Sequence, residues 1–259
     1  INDTDKFSFF LRKKFSTMCK SNYGAKVFYD HKKNLNLSQQ IKINLKACLS
    51  ILSIKFAKNI FVLSEYSKTE KRILFNRNAI VCQGAIKKSA IEKIESSTKD
   101  INSIICVSRL EQDKRIDILL KAFKKLLDVY PNKKLKICGT ASAEKDLKQL
   151  SISLGISQSV TFTGFVSDKE MEKLNQKAYL FVSLDWADYK ITLFEALTNL
   201  QRILVSSETS QIDDLEKADH MIRVVPDVEN AYMGMLKIFE SESKLDAKYI
   251  KNFLEEYTW

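Results

Sequence analysis

The sequence predicts an α/β protein whose carboxyl-terminal part forms a parallel, doubly wound sheet. From residue 101 onward, short apolar runs alternate with amphipathic stretches at a regular pitch, which is the pattern of strands joined by crossover helices. The chain has 259 residues, of which 45% are hydrophobic and 29% charged. This composition is typical of a packed globular protein, and the length allows two modest domains.

The carboxyl-terminal elements follow one another without long gaps. Strands are expected at 101–107, 134–138, 159–163, 179–182 and 202–205. Helices are expected at 115–130, 143–154, 168–178, 193–200, 228–240 and 247–257. Ser167 is placed to cap the helix at 168–178. Thr192, with Glu195 three residues later, is placed to cap the helix at 193–200.

The amino-terminal part predicts a second, less complete set of elements. Helices are expected at 6–20, 39–57 and 68–75, and strands at 26–29, 59–63 and 79–82. Residues 89–100 are polar and charged, which is typical of a connection between domains. The predicted organisation is therefore a domain at 1–88, a linker at 89–100 and a domain at 101–259. The first residue is not methionine and the last lies within a helical pattern, so we expect a shortened chain.

The positive charge is concentrated in the first hundred residues. They carry 20 lysines and arginines against 8 aspartates and glutamates, whereas the whole chain has a net charge of +10. Such a surface suits an anionic membrane, an anionic substrate or simply solvent. No nucleic acid partner is expected, because the lysines are dispersed and form no DNA- or RNA-binding motif. For the amphipathic helix at 6–20 we favour packing on a core over binding to a membrane surface.

Several classes of function lack support. The five cysteines are scattered without a CxxC pair and the two histidines lie far apart, so no metal site is expected. No apolar run approaches the roughly 20 residues of a membrane span. A dinucleotide-dependent dehydrogenase is disfavoured because no G-x-G-x-x-G follows a strand.

The strand–loop–helix–strand unit at 179–206 is the strongest candidate for a binding site. Its loop lies at the carboxyl end of a predicted parallel strand, where open α/β sheets bind ligands. The start of the following helix would favour an anion. Arg109 and Lys114 follow the strand at 101–107 and could meet one pyrophosphate at the same edge, although a loop also places such cations in solvent.

Three further residues occupy suggestive positions. Gly139 and Gly164 each stand at the end of a strand, where a glycine lets a ligand approach the backbone or serves only the turn. Glu195 lies early in a predicted helix, where it is either a capping residue or an acceptor for ribose hydroxyls.

Taken in order, these segments resemble the carboxyl-terminal domain of retaining GT-B glycosyltransferases of the family-4, or group 1, type. The resemblance rests on VSRLEQDKRIDILLKAFKKLLDVYPNKKLKICG, VTFTGFVSDKEMEKL and YLFVSLDWADYKITLFEAL. Upstream, FVLSEYSKTEKRILFNRNAIVCQGAI is similar to the end of the family's amino-terminal domain, and FLEEYTW is similar to its late helix. The resemblance covers residues 25–259. It implies a complete Rossmann-like domain preceded by part of another.

The resemblance also implies roles for individual residues. Arg109 and Lys114 match the pair that holds the donor diphosphate, and Glu195 matches the second glutamate of the Glu-x7-Glu motif, which contacts the donor ribose. The other matches are to backbone near the phosphates (Ile191, Thr192), to the segment near the nucleobase (Gly164, Phe165, Val166) and to a histidine near the donor sugar (His31). A histidine after a strand is also commonly a structural hydrogen-bonding group.

The sequence departs from the family at the first glutamate of that motif. Ala187 occupies this position, and Asp188-Tyr189-Lys190 replaces the usual Gly-Phe-Gly. Asp185 or Asp188 could supply the acid from a neighbouring position, and Lys190 could add a positive charge near the donor phosphates.

The resemblance implies a retaining glycosyltransferase of polysaccharide, lipopolysaccharide or glycolipid synthesis. The expected donor is a nucleotide-diphosphate sugar, and the acceptor is a glycan or a lipid-linked hydroxyl, with no cofactor and no metal. The expected location is the cytoplasm, including peripheral contact with the anionic inner face of the membrane. The alternative is a non-catalytic, glycosyltransferase-like binding or partner subunit, because Ala187 replaces the first glutamate.

Overall fold

The computed structural model divides the chain into two compact units, residues 1–82 and 83–259. The structure describes residues 38, 41, 52–82, 86–92, 94, 98–187, 190–209, 215, 216, 219–241 and 245–258.

The first unit contains a short parallel pair of strands joined by a helix. Strands β1 (Phe61–Val62) and β2 (Ile80–Val81) are paired, and helix α1 (Glu65–Phe75) connects them. The Oγ of Ser64 accepts a hydrogen bond from the amide of Ser67 at 2.9 Å, so α1 begins three residues before its predicted start. These elements are of the predicted types.

The second unit is built on a six-stranded sheet in which every neighbouring pair is parallel. The strands are β3 (Asp100–Val107), β4 (Lys134–Cys138), β5 (Val160–Gly164), β6 (Ala178–Ser183), β7 (Arg202–Ser206) and β8 (Met221–Val224). Their order is β5-β4-β3-β6-β7-β8. This confirms the predicted parallel sheet. Sequence reasoning missed β8, a four-residue edge strand whose side chains are mostly half-buried.

Helices cover both faces of this sheet. They are α2 (Lys88–Glu92), α3 (Ile116–Val129), α4 (Glu144–Ser153), α5 (Asp168–Lys177), α6 (Ile191–Thr198), α7 (Val228–Glu240) and α8 (Ala247–Glu255). The Ser167 cap of α5 is confirmed, and it forms a full capping box with Glu170.

Two hydrophobic clusters lie on opposite sides of the strands. Helices α3, α4 and α7 pack on one side, and α2, α5, α6 and α8 pack on the other. Neighbouring residues of β3 alternate between them, because Ile104 belongs to the first cluster and Ile105 to the second. This is the period of a strand that is buried on both faces, and it establishes a doubly wound, three-layer architecture.

The whole of the predicted linker at 89–100 falls within the second unit. Helix α2 covers its beginning, and Ile91 and Ile94 are buried in the cluster that includes α8. Just before α2, the amide of Ile86 donates to the carbonyl of Tyr257 at 3.3 Å. The polar composition of 89–100 does not indicate this packing. Two isoleucines three residues apart lie on the same side of a helical turn, and they are enough to pack that turn against the core.

Candidate active site

The candidate site lies at the carboxyl edge of the sheet, where the strand order changes direction. β3 stands beside β6 in space, although β4 and β5 intervene in the chain. The loops that follow β3 and β6 therefore leave the same edge side by side. Such a point is where doubly wound sheets bind ligands.

Lys114 and Asp185 connect these two loops. Lys114 ends the 3-10 turn at Gln112–Lys114, and its Nζ lies 3.1 Å from Asp185 Oδ2 and 3.1 Å from Asp113 Oδ2. Asp185 stands two residues after the end of β6. A cation from one loop is thus held by a carboxylate from the other.

Lys190 approaches the same carboxylate from the other side. Its ammonium pairs with Asp185 Oδ1 and donates to the hydroxyl of Ser183. The hydroxyl of Ser183 in turn donates to Asp185 Oδ1 at 2.6 Å. The side chains of Lys114, Asp185 and Lys190 are only 17%, 9% and 10% exposed. We call Lys114, Ser183, Asp185 and Lys190 the charge cluster.

The charge cluster changes the pKa values of its members. Burial acts to raise the pKa of Asp185, but Lys190 and Lys114 outweigh it, and the pKa lies below its ordinary value. Burial likewise acts to lower the pKa of Lys114, whereas Asp185 and Asp113 raise it. Beneath the cluster, burial chiefly and the charge of Asp185 raise the pKa of Cys106 to about 12. All three residues are therefore in their ordinary ionisation states at neutral pH.

Arg115 makes a second connection across the same edge. Its guanidinium donates to the carbonyl of Leu184 at 2.9 Å and pairs with Glu208, just after β7, at 2.8 Å. Arg115 does this from a left-handed backbone conformation, with φ of +53°. Its side chain is buried. Lys114 and Arg115 thus fasten the loop after β6 from two consecutive positions.

Arg109 is placed differently from Lys114, although the sequence predicts that both act on one pyrophosphate. Its side chain is 70% exposed, and its guanidinium pairs with Glu111 at 3.1 Å. The structure therefore brings Lys114 into the charge cluster and leaves Arg109 at the solvent side of the same loop.

The two predicted glycines join the ends of β3, β4 and β5. The amide of Gly139 donates to the carbonyl of Gly164 at 2.9 Å, and that of Ser108 to the carbonyl of Cys138 at 3.0 Å. A Cβ on Gly139 would lie 2.0 Å from the carbonyl oxygen of Ser108. Close contact between backbones thus explains the glycine at 139 without a ligand, while Gly164 serves a left-handed turn with φ of +69°.

The segment after β5 exposes an aromatic ring and carries a carboxylate, Asp168, whose charge acts on Glu195. Phe165 is 87% exposed, whereas Val166 packs against the core. Glu195, on α6, lies near enough to Asp168 for their charges to interact. Burial chiefly, and Asp168 in addition, raise the pKa of Glu195 above its ordinary value.

Helix α6 begins one residue before Thr192, so the predicted cap is wrong. Lys190 is the residue that precedes the helix, and its side chain makes no capping hydrogen bond. Instead that side chain turns toward Asp185. Ile191 and Thr192 are therefore the first two helical residues, and their amides are among those that a helix leaves without an internal acceptor. Glu195 is the fifth helical residue, too far along for a capping box.

Comparison with known proteins indicates the family to which the chain belongs. The family described as Glycosyl transferases group 1 matches residues 87–255, which is more than half of the chain. The chain belongs to this family. An uncharacterized glycosyltransferase of Haemophilus influenzae is 31% identical to it over 121 residues, covering 45% of this chain and 33% of that protein.

Two further relatives of this group 1 family member are informative. The O-antigen chain mannosyltransferase RfbU of Salmonella typhimurium is 23% identical over 219 residues, covering 84% of this chain and 58% of RfbU. The structure of S. aureus TarM, solved with fondaparinux, alpha-GlcNAc-glycerol and UDP, superposes with a TM-score of 0.67 at 17% identity. The match covers 79% of this chain and 43% of TarM. It confirms the predicted GT-B-like α/β fold. The chain spans between a third and three fifths of the length of these curated relatives.

The structure shows the surroundings of Ala187, the residue at which this member of the glycosyltransferase family departs from the Glu-x7-Glu motif. Ala187 is buried, and its backbone forms a parallel bridge with Thr209 after β7. Asp185 stands near this position, but its two oxygens are held by Lys114, Lys190 and Ser183. Both oxygens of Asp185 thus take part in the charge cluster, and its use in place of the missing glutamate stays a prediction. His31 and Asp188 lie outside the described residues.

Arg115 and Glu208 are the parts of this site that sequence reasoning missed. No local pattern links a residue before α3 to one after β7. The sequence offered one signal for Arg115, which is that it directly follows Lys114 in the chain. Neighbouring residues of one loop lie close to the same site. Among the described residues, no three or more His, Cys, Asp or Glu side chains are grouped so that they could hold a metal ion. The helices in the described part of the chain also include none that could span a membrane.

Proposed function

We propose that this protein transfers a sugar from a nucleotide-diphosphate sugar to a hydroxyl acceptor, with retention of configuration at the anomeric carbon. The observation that carries the proposal is the pair of ammonium groups, Lys114 and Lys190, beside the start of α6 at the edge where the strand order changes. Retention is taken from the family resemblance.

The diphosphate of the donor would lie between Lys114 and the first amides of α6. A helix start carries a partial positive charge and free N–H groups, which together favour phosphate oxygens. Lys114 Nζ has three hydrogens, and the two carboxylates that it contacts account for two of them. Within the described residues Lys114 Nζ has no third acceptor, so its third hydrogen could bind a phosphate oxygen. The exposed guanidinium of Arg109 could approach from solvent.

The nucleoside would extend toward the segment after β5. The exposed ring of Phe165 offers a face on which a base can stack. Glu195, half-buried on α6, could accept hydrogen bonds from ribose hydroxyls. Phe165 lies three residues before Asp168, whose charge acts on Glu195, and we therefore propose that the nucleoside contacts both Phe165 and Glu195.

Catalysis in this proposal is mainly electrostatic. As the bond from the anomeric carbon to the diphosphate oxygen breaks, negative charge develops on the leaving group. Lys114 and the start of α6 are already in place to stabilise it. The acceptor hydroxyl adds to the anomeric carbon, and its proton leaves with the departing diphosphate or with solvent.

The acceptor is proposed from the relatives and from charge. RfbU is named as an O-antigen chain mannosyltransferase, and we therefore propose a glycan or lipid-linked acceptor. The excess of basic residues before position 100 would suit an acceptor at the cytoplasmic face of an anionic membrane, with about 1 kcal/mol for each well-placed cation.

Calorimetric titration with UDP and GDP, followed by a turnover assay with a panel of UDP- and GDP-sugars, tests this proposal. We expect one of the two nucleotides to bind, and its sugar conjugate to be consumed. Lys114→Ala should lose both activities, whereas Lys121→Ala, an exposed lysine on α3, should retain them. The proposal fails if the unmodified protein binds neither nucleotide.

A non-catalytic sugar-nucleotide-binding protein is the second candidate, because Ala187 stands where the family has a glutamate. Under this alternative, UDP or GDP binds but no conjugate turns over. The same two measurements therefore separate the candidates.

A further inference from the structure

Asp185 is the central group of the charge cluster, and each of its oxygens faces a different cation. Oδ2 accepts from Lys114 on the loop after β3, and Oδ1 accepts from Lys190 and from Ser183 on its own loop. The carboxylate is 9% exposed. One buried acid thus fixes the positions of two ammonium groups from separate parts of the chain.

Stability alone is a weak explanation for this arrangement. Two cations and a carboxylate lose much of their hydration in such a place, and buried ion pairs often contribute little net stability. Two ammonium groups this close would also repel each other without an anion between them. The arrangement nevertheless keeps two positive charges at one edge of the sheet.

We propose that Asp185 is a positioning residue that holds the ammonium groups of Lys114 and Lys190 together, so that both face the diphosphate of the donor. This inference rests on the proposed function, because it assumes that a diphosphate binds beside α6. It also gives Asp185 a role different from an acid that contacts sugar hydroxyls. Ser183 supports the role, because its hydroxyl fixes the orientation of Oδ1 at 2.6 Å.

A competing reading makes Asp185 an internal anion that occupies the cation site until the donor displaces it. The two readings predict opposite effects of removing its charge. If Asp185 positions the lysines, its removal weakens diphosphate binding even though the site gains net positive charge. If Asp185 competes with the donor, its removal strengthens binding.

Two carboxylates act directly on the charge of Lys114: Asp113 on the same turn and Asp185 on the loop after β6. Lys190 and Cys106 interact in turn with Asp185. Of the two carboxylates, Asp185 interacts most strongly with Lys114 and raises its pKa. Loss of Asp185 should therefore give Lys114 a larger uncharged, reactive fraction at pH 9.

The test compares Asp185→Asn and Asp185→Glu with Asp117→Asn, which removes an exposed partner of Lys121. Calorimetric titrations report the binding of two probes, which are inorganic pyrophosphate and whichever of UDP and GDP the unmodified protein binds. Trace acetylation by acetic anhydride at pH 9 reports the uncharged fraction of Lys114. It is measured by mass spectrometry in Asp185→Asn and in the unmodified protein, with Lys121 as the internal reference. We expect Asp185→Asn to weaken the binding of both probes by about tenfold, since a charge-assisted contact is lost at each lysine.

Asp185→Asn should also increase acetylation of Lys114, Asp185→Glu should recover part of the binding, and Asp117→Asn should bind like the unmodified protein. Unchanged or tighter binding by Asp185→Asn overturns the inference while leaving the proposed function intact. Failure of the unmodified protein to bind any of pyrophosphate, UDP and GDP overturns both. If Asp185→Asn does not fold, binding is measured for Ser183→Ala instead, because this variant leaves every charge in place. Undiminished binding of pyrophosphate by Ser183→Ala would contradict the positioning role of Asp185.

Discussion

The ammonium nitrogen of Lys114 lies 3.1 Å from a carboxylate oxygen of Asp185, although 71 positions separate them in the chain. The contact exists because β3 and β6 are neighbours in the sheet. It joins the two loops that the proposed donor would contact.

Replacement of Lys114 by alanine should remove most of the sugar-transfer activity. The ammonium is proposed to stabilise charge on the leaving diphosphate, and loss of one such donor lowers kcat by about 100-fold or more. Steady-state kinetics with the preferred nucleotide sugar measures the effect. Lys121→Ala, which breaks only an exposed pair with Asp117, serves as the control. Equal rates for the two variants would contradict the assignment.

Replacement of Arg115 by alanine should destabilise the fold more than replacement by glycine. Both variants lose the contacts with Leu184 and Glu208, at a cost of about 3 kcal/mol for a buried pair. The backbone at position 115 has φ of +53°. Alanine is strained there and glycine is not, so the glycine variant should be more stable by about 0.5–1 kcal/mol. Urea unfolding gives both values, and the reverse order would show that the left-handed conformation is not retained.

Gly139→Ala should destabilise the protein far more than Gly155→Ala. Both glycines have positive φ, but a Cβ at 139 would collide with the Ser108 carbonyl, whereas at 155 it would meet nothing within 4 Å. We expect a loss of about 1 kcal/mol at 155 from backbone strain and at least about 3 kcal/mol at 139. Chemical denaturation distinguishes the two, and similar losses would argue against the close backbone contact.

Glu195→Gln should raise the melting temperature at pH 7 and weaken the binding of UDP. Because burial and Asp168 raise the pKa of Glu195 above 4.5 in the folded protein, the folded state binds this proton more tightly than the unfolded chain does. Ionisation of Glu195 therefore lowers the free energy of unfolding as the pH rises from the pKa of the unfolded chain through the pKa of the folded protein. Glutamine removes this penalty at pH 7 and should give no advantage below the unfolded pKa. A variant that is stabilised at pH 7 yet binds UDP unchanged would exclude the ribose contact.

Phe165→Ala should weaken UDP binding without affecting pyrophosphate binding or stability. The ring is 87% exposed, so its removal leaves the core intact, while a lost stacking partner costs about 1–3 kcal/mol per base. Ile152→Ala, at another exposed apolar residue, on α4, is the matched control. Parallel losses for UDP and pyrophosphate would place Phe165 away from the nucleobase.

The predictable part of this site is the part that local patterns describe. Strand ends, glycines and the lysine of the loop after β3 were found because each follows an apolar run. The cap at Thr192 was wrong because Lys190 adopts the extended conformation that precedes α6, while its side chain is drawn to Asp185. That attraction depends on the packing of the loop and has no counterpart in the local sequence.

The sequence by itself determined the types and order of the elements in the second unit apart from α2 and β8, because periods of two and of 3.6 residues are local properties of the chain. It also indicated which edge of the sheet carries function. Only the tertiary structure decided that Asp185 serves Lys114 and Lys190, that Arg115 joins Leu184 to Glu208, and that α2 packs beside α8. Apart from the pair of Asp185 and Lys190, which belong to one loop, each of these contacts requires segments distant in sequence to meet. Their meeting is set by the strand order and by which helices share a face of the sheet.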